Sequence, residues 1–294
     1  MIEFFEEYNA EIYRNIHSDL HRLSEYDLYH HYLTHGIEEG RISCEIKNKN
    51  DLASFVTNNF DSCLEISPFH NPTLKGNNVK YFDILNKKDL IDVAKKNNLT
   101  KYVHNIPDIH FVDNNANLRT IEEKFNIVLS CHSIEHQFNL VKHLVDVEYL
   151  LNPDGYYVIV CPDKRYMFDH FIKETSIADV LSSYYNNETK HTLKSVIEHR
   201  ALTCHNDCGL HWNKKHGISV LNEHGISTIK NAIDEFNNTK GYIDVHALQF
   251  TPNSFASIIQ NLVDLGLINL KVHRVYHSLF GSNEFYAVLQ KKIK

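Results

Sequence analysis

The chain has 294 residues, 43% of them apolar, with 30 Lys and Arg against 37 Asp and Glu and a formal net charge of -7. That apolar share fills a sizeable core and argues against disorder along the whole chain. The absence of a basic stripe argues against a nucleic-acid partner, and no stretch approaches the roughly 18 apolar residues of a membrane span. The opening Met1-Ile2-Glu3-Phe4-Phe5-Glu6-Glu7 lacks the basic start and long apolar run of a secretory signal. The expected compartment is therefore cytoplasmic, with the six cysteines reduced.

Residues 1–50 read as a separate small helical module. Tyr13, Leu20, Leu23, Leu28 and Tyr32 recur at helical spacing, with a break at Ser24-Glu25. The run 28–36 reads as a helix closed by Gly36 as its C-cap. Two or three such helices bury too little surface to fold alone. They are expected to dock on the rest of the chain or on a second subunit, which would make a homo-oligomer. The polar tract Lys47-Asn48-Lys49-Asn50 marks the boundary.

Residues 51–294 switch between strand and helix periods. Strands are expected at 64–67, at 79–82 ending in Asp83, close to Asp113, and at 125–130. Helices are expected at 87–97 and 139–151. Asn152-Pro153-Asp154-Gly155 reads as a turn, and 156–161 as the next strand, stopped by Pro162. Unalternating apolar strands separated by helices predict a parallel sheet covered on both faces. Residues 163–245 are polar and rich in His and Asn, with helices near 177–185 and 226–237. A long insertion in an α/β enzyme is expected to be a lid or substrate-binding segment. A helix at 252–265 and strands at 267–275 and 284–289 would close the sheet with an antiparallel edge.

Ligands of an open parallel sheet bind beyond the carboxyl ends of its strands. Glu65 and Asp83 stand at two of those ends. A dinucleotide pyrophosphate needs a glycine-rich turn with free amides. The loop Ser67-Pro68-Phe69-His70-Asn71-Pro72 has no glycine and two prolines without an amide. An adenosyl ligand without phosphates suits it better, with ribose hydroxyls donating to Asp83 and an ammonium group meeting acidic or carbonyl oxygens. That points to S-adenosylmethionine and methyl transfer. Loop capping is the other reading of Asp83 and a structural hydrogen bond that of Glu65. Asp113 is placed to face the adenine amino group or to serve a turn.

These segments together resemble a class I S-adenosylmethionine-dependent methyltransferase, of a bacterial branch associated with surface polysaccharides. Leu64-Glu65-Ile66-Ser67-Pro68 resembles the first motif of that family, Tyr81-Phe82-Asp83 the second and Phe111-Val112-Asp113 the third. Ser130-Cys131-His132-Ser133-Ile134-Glu135-His136 resembles the fourth, and Leu150-Leu151-Asn152-Pro153-Asp154-Gly155-Tyr156 the turn that follows. Pro162-Asp163-Lys164-Arg165-Tyr166-Met167-Phe168-Asp169-His170, Asn206-Asp207 with His211-Trp212 and His216-Gly217, Phe250-Thr251-Pro252-Asn253-Ser254-Phe255 and Ser282-Asn283-Glu284-Phe285-Tyr286 are similar to the branch. The resemblance spans about residues 61–290. It implies a Rossmann-like, mostly parallel sheet with helices on both faces, and cofactor contacts from Glu65, Ser67, Asp83, Asp113, Cys131 and His132. Ser67 departs from the family, which usually places glycine there. The implied activity is O-methylation of a saccharide or nucleotide-activated sugar in surface polysaccharide (capsule) biosynthesis. A non-catalytic member of a polysaccharide-assembly complex and an NAD-dependent sugar oxidoreductase are the alternatives; the missing glycine turn counts against the latter.

Methyl transfer to a hydroxyl needs positioning and a base, and an imidazole suits that role. His211 and His246 are the preferred bases among the 21 histidines, with His136 at the end of the fourth strand also a candidate. Asp169 and Arg165 would orient the lid or substrate, or else pair with each other. Asp207 and Trp212 are candidate substrate contacts, the indole serving as a sugar-stacking platform or as a hydrophobic plug. The cluster Cys204-His205-Asn206-Asp207-Cys208 with His211 invites a metal. Its spacing is not that of a zinc knuckle and no second cysteine pair exists, so no metal ligands are assigned.

Overall fold

Two short helices open the chain, α1 (Ala10–Ile16) and α2 (Glu25–His31), each started by a side chain, Asn9 or Ser24, that accepts amides of the first turn. In the computed structural model, which describes residues 2–292, α2 continues through a π turn at Tyr32–Gly36. Tyr13, Leu20, Leu28 and Tyr32 form their own small core. Gly36 is not the expected left-handed cap; a Cβ there would strike the Tyr13 hydroxyl, so close packing requires the glycine. Gly40 instead takes the positive φ of 65°, and its carbonyl accepts the Phe280 amide at 2.9 Å. The segment before α1 lies on the main sheet. Phe4 packs among Phe55, Phe60 and Tyr156, and the Tyr276 hydroxyl donates to the Phe5 carbonyl at 2.6 Å.

The tract that composition marks as a boundary is a helix start. Asn48 accepts the amides of Asn50 and Asp51 and opens α3 (Lys49–Asn59), which the periodicity did not reveal. The sheet follows, with β1 (Cys63–Ile66), β2 (Val79–Asp83), α4 (Lys87–Lys96), β3 (Phe111–Val112), β4 (Phe125–Cys131), α5 (Leu140–Leu150) and β5 (Leu151–Pro162). The expected 152–155 turn is an irregularity within β5. Pairing with β4 jumps from Leu151 to Tyr156 there, and Asp154 has a φ of 58°.

The insertion holds α6 (Ile177–Tyr185) and α10 (Ser227–Asn238) close to their expected places. Between them lie α7 (Leu193–Ala201), α8 (Cys208–Trp212) and α9 (Val220–His224), short helices begun by Thr192, Asp207 and Ser219 side chains rather than by a long apolar stripe. Then come α11 (Pro252–Asp264), β6 (Leu270–Tyr276) and β7 (Glu284–Lys291).

The seven strands order as β3-β2-β1-β4-β5-β7-β6. Those from β1 to β5 are parallel, and β7 runs antiparallel to both β5 and β6. This is a Rossmann-like methyltransferase sheet, the class I fold. One face is covered by α5 and α11 with Val180 of α6, the other by α3 with Phe4 and Phe60. Strand order reverses between β1 and β4, so the ligand crevice opens beyond Ile66 and Cys131. The β1–β2 connection, residues 67–78, crosses to a parallel neighbour without a helix, although such crossovers usually carry one. Among the described residues no helix is long and apolar enough to cross a membrane.

A buried polar chain lies beneath α5. His143 Nε2 is 2.8 Å from the Tyr157 hydroxyl, itself 2.7 Å from Ser130 Oγ. Burial pushes the His143 imidazole down from 6.5 to about 4. The unfolded chain therefore takes up a proton first, and this contribution is complete above about pH 6.5 and lost as pH falls toward 4. The expected loss from this group is about 3 kcal/mol. Urea titrations across that range should show His143→Leu flatter by that amount; parallel curves would contradict a neutral buried imidazole.

Candidate functional site

One side of the crevice is built by the loop after β1. Glu65 is 1% exposed, and its two oxygens accept the amides of Thr73 and Leu74, each at 2.8 Å. Burial lifts its carboxyl to about 7 against the pull of those amides. Glu65 thus braces the loop 67–74, the structural one of its two readings. Ser67 and Phe69 have φ of 56° and 41°, a region that costs an L-residue about 1–2 kcal/mol. A glycine at position 67 would take this conformation without that cost. Ser67→Gly is expected to raise stability by up to about 1 kcal/mol in urea unfolding; a loss would mean that the serine side chain makes a needed contact.

Asp83 ends β2, buried, with Oδ1 accepting the Leu85 amide at 3.3 Å. Burial raises its carboxyl to about 6, opposed by the amides of Leu85, Ile84 and Phe69. The Asp113 amide donates to the Asp83 carbonyl at 3.3 Å, which brings β3 alongside. Its Oδ1 accepts the amides of Asn115 and Asn117 at 2.8 and 3.1 Å, so this carboxylate shapes its own turn.

Across the switch point, β4 ends at Cys131 and His132, the latter with a φ of 48°. His132 Nε2 is 2.8 Å from Glu284 Oε1, and Lys49 Nζ lies 2.9 Å from that oxygen and 3.7 Å from Cys131 Sγ. The start of α3, the end of β4 and the start of β7 therefore meet in one charged knot. Burial lowers the His132 pKa, but the bond to Glu284 and the charge of Glu135 leave it raised overall.

Beyond β4 the chain forms a second constellation. Glu135 is 1% exposed, and among the described residues neither of its oxygens has a hydrogen-bond partner. Three imidazoles surround Oε1: His132 Nδ1 at 3.6 Å, His136 Nε2 at 3.8 Å and His246 Nε2 at 3.9 Å. A carboxylate holds the far nitrogen of each. His246 Nδ1 is 2.6 Å from Asp169 Oδ2, His136 Nδ1 is 3.2 Å from Asp244, and His132 has Glu284. The His246 amide donates to His199 Nδ1 at 3.0 Å. The imidazole of His136 holds the Asp244 carboxyl down at about 2. The amides of Ala247 and Leu248 donate to the Glu135 carbonyl at 2.8 and 3.0 Å, tying the 244–250 segment to the end of β4.

Of the sequence candidates, Glu65, Ser67, Asp83, Asp113, Cys131 and His132 line the strand ends, and His136, Asp169 and His246 come together. The others lie elsewhere. Arg165 makes a paired contact with Asp163, at 2.9 and 2.6 Å, rather than with Asp169. Asp207 accepts the Leu210 amide at 3.0 Å as the cap of α8. Trp212 stacks on Tyr166 with centroids 3.7 Å apart and donates from Nε1 to the Ser282 carbonyl at 2.8 Å. Gly40 closes against its ring, the plug reading. His211 is buried with both nitrogens engaged, 3.0 Å from His216 Nδ1 and 3.0 Å from the His205 carbonyl. Cys204 and Cys208 lie toward the Phe168 and Gly281 carbonyls. Sequence reasoning missed Lys49, His199 and Asp244 as parts of the site. Lys49 sat in a tract read as a boundary, and no spacing links His199 to His246.

No family model matches the chain, and no curated protein matches it. Among solved structures it is similar to the CcbJ methyltransferase from Streptomyces caelestis, at 11% identity and a TM-score of 0.42 over 83% of this chain and 94% of that one. It is also similar to a SAM-dependent methyltransferase from Aquifex aeolicus, at 10% identity and a TM-score of 0.36 over 78% and 81% of the two chains. With the CurJ carbon methyltransferase it shares 11% identity and a TM-score of 0.40 over 83% of this chain and 53% of that one. The chain thus spans about half the length of CurJ, and 57% of the mitomycin 7-O-methyltransferase MmcR. The fold class stands on the strand order itself.

Proposed function

We propose that the protein is an S-adenosylmethionine-dependent O-methyltransferase acting on a hydroxyl of a saccharide or nucleotide-activated sugar in surface polysaccharide biosynthesis. The observation that carries this reading is the switch point between β1 and β4, with different chemistry on its two sides. One side offers a buried carboxylate, Asp83, and a loop with few free amides, suited to a ribose rather than a pyrophosphate. The other offers an imidazole held by a carboxylate, the pair Asp169 and His246. Asp83 would hold the ribose hydroxyls, the 67–69 backbone and the Cys131–His132 end of β4 the amino-acid tail. The cofactor supplies an electrophilic methyl group. The imidazole and carboxylate cluster would orient the acceptor hydroxyl and take its proton.

Calorimetry with S-adenosylmethionine, S-adenosylhomocysteine and NAD tests the cofactor half, and methyl transfer to nucleotide-activated sugars the acceptor half. Asp83→Ala is expected to weaken S-adenosylmethionine by about 1–3 kcal/mol. Wild-type affinity should fall as Asp83 is protonated, by up to about tenfold per pH unit below 6. Binding of NAD alone would overturn the reading.

A non-catalytic role in a polysaccharide-assembly complex is the second reading, favoured by the Ser67 side chain in its left-handed conformation beside the crevice. It predicts a folded chain with no methyl transfer to any candidate acceptor.

A further inference from the structure

We propose that Glu135, His136 and His246 bind one divalent transition-metal ion of the zinc class. Their ligand atoms, one carboxylate oxygen and two imidazole nitrogens, all lie within 4.8 Å of one another. The two nitrogens stand 3.8 and 3.9 Å from Glu135 Oε1. That is too long for hydrogen bonds and close to the spacing of ligands that share a central ion with bonds of about 2.0–2.2 Å.

Three features point to a ligand rather than to packing. Glu135 is a buried carboxylate with both oxygens unpartnered, a costly state unless a charge compensates it. Each histidine turns its Nδ1 to a second carboxylate, Asp244 for His136 and Asp169 for His246. This outer contact fixes the tautomer of a metal-bound imidazole and leaves the other nitrogen unprotonated toward the ion. The site is also held from three directions, by the turn after β4, the segment after β5 and the approach to α11. Two nitrogens and one oxygen suit zinc, manganese, iron or cobalt better than magnesium or calcium.

The imidazoles of His170, His211 and His216 also cluster. They contain no carboxylate, and His211 already uses both nitrogens, so they serve as the internal control. Any catalytic use of the ion rests on the methyltransferase reading: its open positions would take the acceptor hydroxyl and acidify it.

The test uses the full chain after chelation, without cofactor or acceptor. Zinc titrated calorimetrically should bind at one equivalent, and cobalt should give visible d–d bands. Glu135→Gln and His136→Asn should each weaken zinc by more than about 100-fold, and Asp244→Asn, which weakens the outer contact of His136 without touching the ion's ligands, by about tenfold. His216→Asn should leave affinity unchanged. Circular dichroism separates a lost site from a lost fold. If both ligand variants unfold, Asp244→Asn and the wild-type cobalt spectrum decide. No stoichiometric uptake by the folded wild type, or unchanged affinity in the folded variants, overturns the site. Zinc uptake without methyl transfer leaves the site standing and removes the proposed function. Methyl transfer by a chain that takes up no zinc does the reverse.

Discussion

Replacing His246 with Asn is expected to lower turnover by about 100- to 10,000-fold with S-adenosylmethionine affinity unchanged. His246 is held through Nδ1 by Asp169 at 2.6 Å, and its Nε2 points to the unpartnered carboxylate of Glu135. Under the proposed function the imidazole takes the acceptor's proton or holds an ion that acidifies it, so its loss removes that step and leaves the loop after β1 intact. Asp169→Asn should fall in the same direction, because an amide does not hold the imidazole in the tautomer that leaves Nε2 free to accept a proton. Single-turnover kinetics beside calorimetry separate the two effects. Near-wild-type turnover in His246→Asn would remove the constellation from the reaction. His211, the other candidate base, lies in a separate imidazole stack, and its substitution should show in thermal stability instead.

Glu65→Ala is expected to cost about 2–5 kcal/mol of stability and, under the proposed function, most of the affinity for S-adenosylmethionine. The carboxylate satisfies two amides, and Leu74 beside it is fully buried. An unpartnered buried donor costs about 1–3 kcal/mol, and the loop between β1 and β2 has no helix to hold it otherwise. Urea unfolding measures the first effect and calorimetry the second. A loss below about 1 kcal/mol would show that the loop is held by its other contacts.

The sheet was legible because its strands are continuous apolar runs buried on both faces, as in 127–129 and 156–161. The helices that escaped notice, α3 and α7 to α9, are begun by local side-chain caps and carry weak stripes. Residue types at strand ends announced Asp83 and the 131–136 turn. Their partners were not readable, because His199, Asp244 and Glu284 reach the same place from segments far apart in the chain. Trp212 shows the opposite limit. Sequence alone offers the same indole as platform or plug, and only its stacking on Tyr166 and contact with Gly40 distinguish the two.

The placement of Phe4 has a consequence for the order in which the molecule is made. The early segment contacts β6 near the other end of the chain, with Glu6 paired to Arg274 at 2.6 Å and the Val275 amide on Glu7 at 3.0 Å. A nascent polypeptide leaving the ribosome cannot complete that seam until β6 has emerged, so this closure is expected later than the pairing of β1 with β2. Until then Phe5, Glu6 and Glu7 lack their partners Tyr276, Arg274 and Val275, and chaperone demand should be greatest in that interval.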